Sequence, residues 1–164
     1  MLNVFKLIAL FILATIFHWA FASLFARWGM SVNLMLVFIT AFCALLKPSG
    51  AYILAFMGGL FLDFFGTKLF GNNAFSFTVC ACIVCNMVDR FDFDELFPQM
   101  VAVFGFTWLA GLLNVGLVYV FTSTSVWPGF WSLMGGAVLD ALCAPLVFGL
   151  VRHILGNSSV CRQG

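Results

Sequence analysis

The sequence predicts an all-α membrane protein in which six transmembrane helices form one compact bundle. Of its 164 residues, 64% are hydrophobic and only 8% are charged, whereas roughly 25% of the residues in soluble domains are charged. The apolar residues occur in runs suited to membrane helices, and these runs lack the polar/apolar alternation of a transmembrane β-barrel. Because the runs use most of the chain, we expect a single domain over residues 1–164.

Charges, prolines and turn residues divide the chain into six apolar segments. They are residues 7–26, 32–46, 50–65, 73–88, 100–121 and 131–151. The second and third are short for a hydrocarbon core of about 30 Å, so flanking residues such as Ser31, Asn33 and Lys47 are expected at the membrane interfaces. Before the fourth segment, residues 70–75 (FGNNAF) offer a glycine turn and two asparagines suited to capping a helix.

The first segment has two interpretations. It follows Lys6 and contains the triplet Ala-Phe-Ala at residues 20–22, which is similar to a signal-peptide cleavage site. Its apolar stretch continues past His18 to Ala26, however, and exceeds the usual h-region of about 7–15 residues. The sequence therefore favours a retained helix over a cleaved signal peptide.

The basic residues predict that both termini are cytoplasmic. With a cytoplasmic N-terminus, the basic residues on the inner side are Lys6, Lys47, Arg90, Arg152 and Arg162. Only Arg27 and Lys68 then fall outside, as the positive-inside rule requires. The last outer connection, residues 123–131 (STSVWPGFW), has no charge and carries tryptophans suited to a membrane interface.

One short motif occurs twice, as MGGLFLD at residues 57–63 and as MGGAVLD at residues 134–140. An odd number of crossings separates the third helix from the sixth, so the two copies run in opposite directions. This arrangement is typical of the inverted three-plus-three repeats of transporter folds. The match is short and its residue types are abundant in this chain, so duplication and chance both remain open.

Each copy places small residues and an acid along one stripe of its helix, at positions i, i+4 and i+7. The stripes are Gly59, Asp63 and Gly66 in the third helix and Gly136, Asp140 and Cys143 in the sixth. Such glycines allow close helix packing in lipid, and Gly58, Gly71 and Gly135 extend the packing motif. Pro145 is expected to free a backbone carbonyl near Asp140.

An ionised Asp at the bilayer centre costs about 2.5–3.5 kcal/mol, so each acid needs a partner, a proton or water. The other polar residues within reach of the apolar segments are Asn114, Asn86, His18 and Lys68. We predict a partner-binding or cavity site formed by Asp63, Asp140 and Asn114 in the outer half of the bundle. The structural alternative is that each acid caps or hydrogen-bonds a neighbouring helix.

Other classes of function have little support in the sequence. The thiols of residues 80–85 (CACIVC) are expected to pack rather than bind metal, because no His, Asp or Glu lies among them. His18 lacks a second ligand at i+4 and is expected to contact other helices. Scattered charges argue against nucleic acid, and no hydrolase or nucleotide-binding motif occurs. We expect no enzymatic activity and no cofactor.

Residues 56–71 (FMGGLFLDFFGTKLFG) resemble the signature of the MreD family, the rod shape-determining membrane proteins. In that signature a glycine-rich helical turn leads to Leu-Asp and, eight residues after the Asp, to a Leu/Phe-Gly. Asp63 and Gly71 take these places here. Residues 130–152 also resemble the last helix of the family, although Asp140 is not one of its general features.

The resemblance implies a non-enzymatic scaffold or regulatory subunit of the bacterial elongation (rod) complex in the inner membrane. Such a subunit binds MreC and works with MreB, RodA and a penicillin-binding transpeptidase in lateral peptidoglycan synthesis, which maintains rod shape. The implied fold is similar to the substrate-binding membrane subunit of energy-coupling-factor transporters. The alternative function is therefore a transporter subunit that binds a solute in a cavity near Asp63 and Asp140.

Overall fold

The computed structural model describes residues 2–66, 69–88, 93, 95–123, 127 and 129–155. Across these residues the fold is all-α. Its six helices are α1 (Leu2–Ala26), α2 (Leu34–Leu45), α3 (Pro48–Phe65), α4 (Asn72–Met87), α5 (Leu96–Thr122) and α6 (Phe130–Leu155). Each predicted segment corresponds to one helix, and the largest difference is the start of α1, at Leu2 instead of residue 7.

Four of these helices are long and apolar enough to cross a membrane. The candidate spans are Phe5–Ala26, Pro48–Phe65, Leu96–Thr122 and Phe130–Ile154, as in a multi-pass membrane protein. The short helices are α2 and α4, with 12 and 16 residues, or about 18 and 24 Å at 1.5 Å per residue. Helix α3 has 18 residues and remains near the short limit for a membrane span, and Pro48 starts it earlier than predicted, in the N-terminal position that suits proline.

Helix α2 is the centre of the bundle. It contacts all five other helices, and every residue from Leu34 to Cys43 is buried. Around it, α3 packs on α4, α4 on α5, α5 on α6, and α6 on α1. Aromatic pairs between α1 and α3, including Trp19 with Phe65, complete this ring. A helix enclosed by other helices presents little surface to lipid, so α2 can be shorter than the bilayer core is thick.

The interior of the ring is filled by large apolar side chains and thiols. Phe42, Phe77 and Phe148 are fully buried and come from α2, α4 and α6. The thiols of Cys43 and Cys85 are in hydrogen-bonding contact within this core. No group of three or more potential metal ligands occurs in the part of the chain that the structure describes.

Several residues used for the orientation prediction lie outside the described residues. They are Lys68, Arg90 and Arg162, together with residues 124–126 and 128 of the last outer connection. Of the remaining basic residues, Lys6 and Arg152 belong to the same end of the bundle, since the Lys6 ammonium donates to the carbonyl of Ile154 (3.4 Å). The sidedness of the chain stays a prediction.

Candidate functional site

A recess of about 510 Å³ lies at the end of the bundle where α2 and α4 begin. It exists because α1 and α5, with 25 and 27 residues, extend beyond these two short helices. The residues around this polar recess include His18, Asn33, Asp63, Asn72, Thr107 and Asn114. Its volume lies in the range of about 300–1,000 Å³ that is usual for small-molecule sites.

Asp63 caps the start of α4 from the end of the preceding helix. Its Oδ1 accepts the backbone N–H of Asn73 and its Oδ2 that of Ala74, both at 3.0 Å, and the residue is only 6% exposed. The carboxylate thus satisfies two of the backbone donors that every helix start leaves unpaired, at the positive end of the helix dipole. Gly71, with φ of 91°, makes the intervening turn.

The predicted capping role of the two asparagines is wrong. Asn72 and Asn73 lie inside the first turn of α4, and the residue at the N-cap is Gly71, which has no side chain to accept a hydrogen bond. The acceptor comes instead from Asp63, ten residues before Asn73. The asparagine side chains are therefore not used in capping, and both residues line the polar recess.

Gly59 allows Asp63 to reach this position. A Cβ at Gly59 would overlap the backbone of Ala74 and would lie 2.6 Å from the carbonyl carbon of Asn73. Because these are backbone atoms, they cannot move aside as a flexible side chain can. The glycine brings α3 onto the start of α4, and Asp63, one turn later, meets the exposed N–H groups.

Asp140 repeats this arrangement at the start of α2. Both of its carboxylate oxygens accept the backbone N–H of Asn33 at 3.1 Å, and its Oδ2 accepts the Thr107 hydroxyl at 3.2 Å. The residue is completely buried. One turn earlier, a Cβ at Gly136 would overlap the backbone of Ser31. Helix α6 therefore holds the start of the central helix, with α5 as a second contact.

The two copies of the motif share a local geometry but not equivalent partners. In each, a glycine permits close backbone approach and an Asp four residues later accepts backbone N–H at the start of a short helix, two N–H groups for Asp63 and one for Asp140. An inverted three-plus-three repeat would match α3 with α6 and α4 with α1, whereas Asp140 caps α2. Helix capping explains the motif without duplication, and the repeat stays a prediction.

The remaining residues of the predicted packing motif do not share one contact surface. Gly58 faces Met35 of α2, and Gly135 faces Met30. Gly66 lies just beyond the end of α3 with an extended backbone, so the predicted stripe does not continue to it. Pro145 lies inside α6, which continues through it.

The structure brings some of the predicted site residues together. Asp63, Asn114 and His18 line the polar recess, whereas Asp140 lies behind it and reaches it through its donors Asn33 and Thr107. The Asn114 amide donates to the carbonyl of Ala110 in its own helix (2.8 Å). Asn86 is exposed and is not among the lining residues, and Lys68 lies outside the described residues.

Thr107 and the role of Asn33 as a donor to Asp140 were not predicted from the sequence. Thr107, Gly111, Asn114 and Val118 recur at helical spacing, and all of them line the recess. This stripe of small and polar residues on an otherwise apolar helix was the available signal. Asn33 precedes the shortest helix, whose first N–H groups need an acceptor, but nothing local identifies Asp140 as that acceptor.

Three residues of the polar recess carry buried polar atoms without hydrogen-bond partners among the described residues. These atoms are Nδ1 of His18, Oδ1 of Asn33 and Oδ1 of Asn72. An unpaired buried polar group costs about 1–3 kcal/mol. The fold thus leaves several polar groups unsatisfied around the recess, although it satisfies both buried acids.

No family model, curated protein or solved structure matches the chain. The observations that bear on function are therefore the geometry of the recess and the residues of the doubled motif.

Proposed function

We propose that the chain is a non-enzymatic scaffold subunit of the bacterial elongation (rod) complex. In this proposal it resides in the inner membrane with both termini cytoplasmic, and all six helices cross the membrane with the help of interfacial residues beside α2 and α4. It binds MreC and acts with MreB, RodA and a penicillin-binding transpeptidase in maintaining rod shape.

The observation that carries the proposal is the position of the residues behind the family resemblance. Asp63 and Gly71, the acid and glycine of the MreD-like signature, together build the start of α4 beside the polar recess. The residues of the signature thus shape one wall of a concave surface, and Asp63 is part of that wall rather than an isolated acid. A preformed surface binds a partner at a lower entropic cost than a flexible one.

The proposed orientation directs the recess to the outer side of the membrane. Helices α2 and α4 then begin near the outer face, so the recess opens toward the outer side of the membrane. In the proposal, MreC has one membrane helix and its external domain lies on this side. Apolar outer surfaces of α1 and α3, including Ile12, Ile16 and Ile53, would contact lipid or partner helices.

A second candidate is the solute-binding subunit of a transporter. The size of the recess and its converging polar side chains favour this function. Below the recess, however, the axis of the bundle is filled by α2 and by side chains such as Phe42. Passage of a solute along this axis would require α2 to move, which the scaffold function does not.

Recovery of partners from native membranes tests the proposal. The full-length chain, tagged at one terminus, is purified in mild detergent and its partners are identified by mass spectrometry. Enrichment of MreC and the transpeptidase over an untagged control is the expected result. Enrichment of an ATPase pair without MreC would contradict the proposal and support the transporter subunit.

A further inference from the structure

The polar recess is short of positive charge among its described residues. Asp63 lines it and Asp140 lies directly behind Asn33, so two carboxylates converge on the starts of two helices. Each helix start contributes only about half of a positive charge. No Lys or Arg occurs among the described lining residues. Among the described lining residues, the positive partners of the Asp63 carboxylate are therefore only backbone N–H groups and the helix dipole.

The recess also has buried polar atoms that lack a hydrogen-bond partner among the described residues. Asn72 is 5% exposed and its Oδ1 has no partner, like Oδ1 of Asn33 and Nδ1 of His18. Asn72 lines the recess, and the terminal torsion of an Asn amide is broad, so its oxygen can reorient toward a bound ligand. Asp63 keeps further lone pairs beside its two N–H bonds.

We infer that the polar recess binds a primary ammonium group, because such a group supplies three donors, no acceptor and one positive charge. The Trp19 ring in the recess wall adds a surface that favours cations. An anion would instead meet Asp63 without a described basic partner. The inference rests on the recess being the binding site of the proposed function. The ammonium comes from a lysine of a docked polypeptide or from a free amine.

The test measures the thermal unfolding midpoint of the full-length protein in detergent with matched probes. Ethanolammonium is compared with ethylene glycol, in which a hydroxyl replaces the ammonium group, and with acetate, all at equal ionic strength. A second pair compares acetyl-Gly-Lys-Gly-amide with its Gln analogue. The ammonium probe should raise the midpoint by about 3 °C when present at ten times its Kd. A response to ethanolammonium identifies a free amine, and a response to the lysine peptide alone identifies a polypeptide.

Variants separate recognition from folding. Asp63→Asn keeps an acceptor for the start of α4 but removes the charge, so the preference for ammonium over glycol should disappear. Asn72→Ala removes an unpaired buried atom, so it should not lower the midpoint without probe, yet it should abolish the shift. Asn86→Ala, on the exposed face of the same helix, should retain the full shift.

Several results would overturn the inference. They are equal shifts with ammonium and glycol, a larger shift with acetate, no shift with any probe, or a shift that arises only in Lys68→Gln. The last result would mean that the chain supplies its own ammonium. If MreC is recovered normally but no ammonium preference exists, only the ligand assignment fails. If the preference exists but MreC is never recovered, only the partner proposal fails.

Discussion

The carboxylate of Asp140 accepts the backbone N–H of Asn33 with both oxygens at 3.1 Å, across 107 positions of sequence. This contact joins α6 to the start of α2, the helix that every other helix surrounds. The buried acid therefore fixes the depth at which α2 begins. That depth creates the polar recess above it.

Loss of this contact should destabilise the protein. Asp140→Ala leaves the N–H of Asn33 and the Thr107 hydroxyl without their acceptor, and we expect a loss of about 2 kcal/mol. Asp140→Asn keeps one acceptor oxygen and should lose about half as much. Thermal unfolding in detergent measures both, with about 2–4 °C expected per kcal/mol. An Ala variant as stable as the wild type would show that Asp140 does not hold α2.

The two glycines of closest approach should not tolerate a methyl group. Gly136→Ala and Gly59→Ala would force backbone atoms apart, and we expect each to cost about 1–3 kcal/mol. Gly149→Ala in α6 and Gly116→Ala in α5 are matched controls, because nothing lies within 4 Å of the added Cβ. The better helix propensity of Ala should leave these controls unchanged or up to about 1 kcal/mol more stable. Equal effects at all four positions would refute the close-packing account.

The turn before α4 should require glycine for a reason other than space. Gly71 has a φ of 91°, and a Cβ added there would meet no atom within 4 Å, so the cost of substitution is conformational. Gly71→Ala should destabilise by about 1–2 kcal/mol, and Gly71→Asn by less, since Asn enters this region more readily. Unfolding midpoints of the two variants provide the comparison. Indistinguishable midpoints for Ala, Asn and Gly would contradict this explanation.

The contact between Cys43 and Cys85 allows a direct test of how α2 packs on α4. A membrane-permeant oxidant should form an intramolecular disulfide between them, detected by peptide mass spectrometry, because their thiols are in contact. Cys43→Ser should abolish this cross-link. The exposed Cys82 is the control thiol. A disulfide from Cys85 to Cys82 in place of Cys43 would contradict the packing of these helices.

The helices could be predicted because their signals are local. Runs of apolar residues indicated all six, and the doubled Gly-Gly and Asp pattern identified both contact surfaces. The acceptor for the start of α2 could not be predicted, because Asp140 and Asn33 meet only after α6 packs on α2. The prediction that the asparagines of α4 cap this helix was wrong for a similar reason. They are good caps locally, but Asp63 reaches the same N–H groups from a neighbouring helix.

The affinity for MreC in lipid nanodiscs tests the central claim, that the polar recess is the partner-binding site, most directly. Asn114→Leu replaces a polar side chain of the recess wall that caps no helix, and Asn86→Leu makes the same change on an exposed surface away from it. The account predicts a Kd about ten-fold or more weaker for Asn114→Leu, equivalent to about 1.4 kcal/mol, with Asn86→Leu unchanged. Equal affinities for wild type and Asn114→Leu, at equal unfolding midpoints, would contradict it.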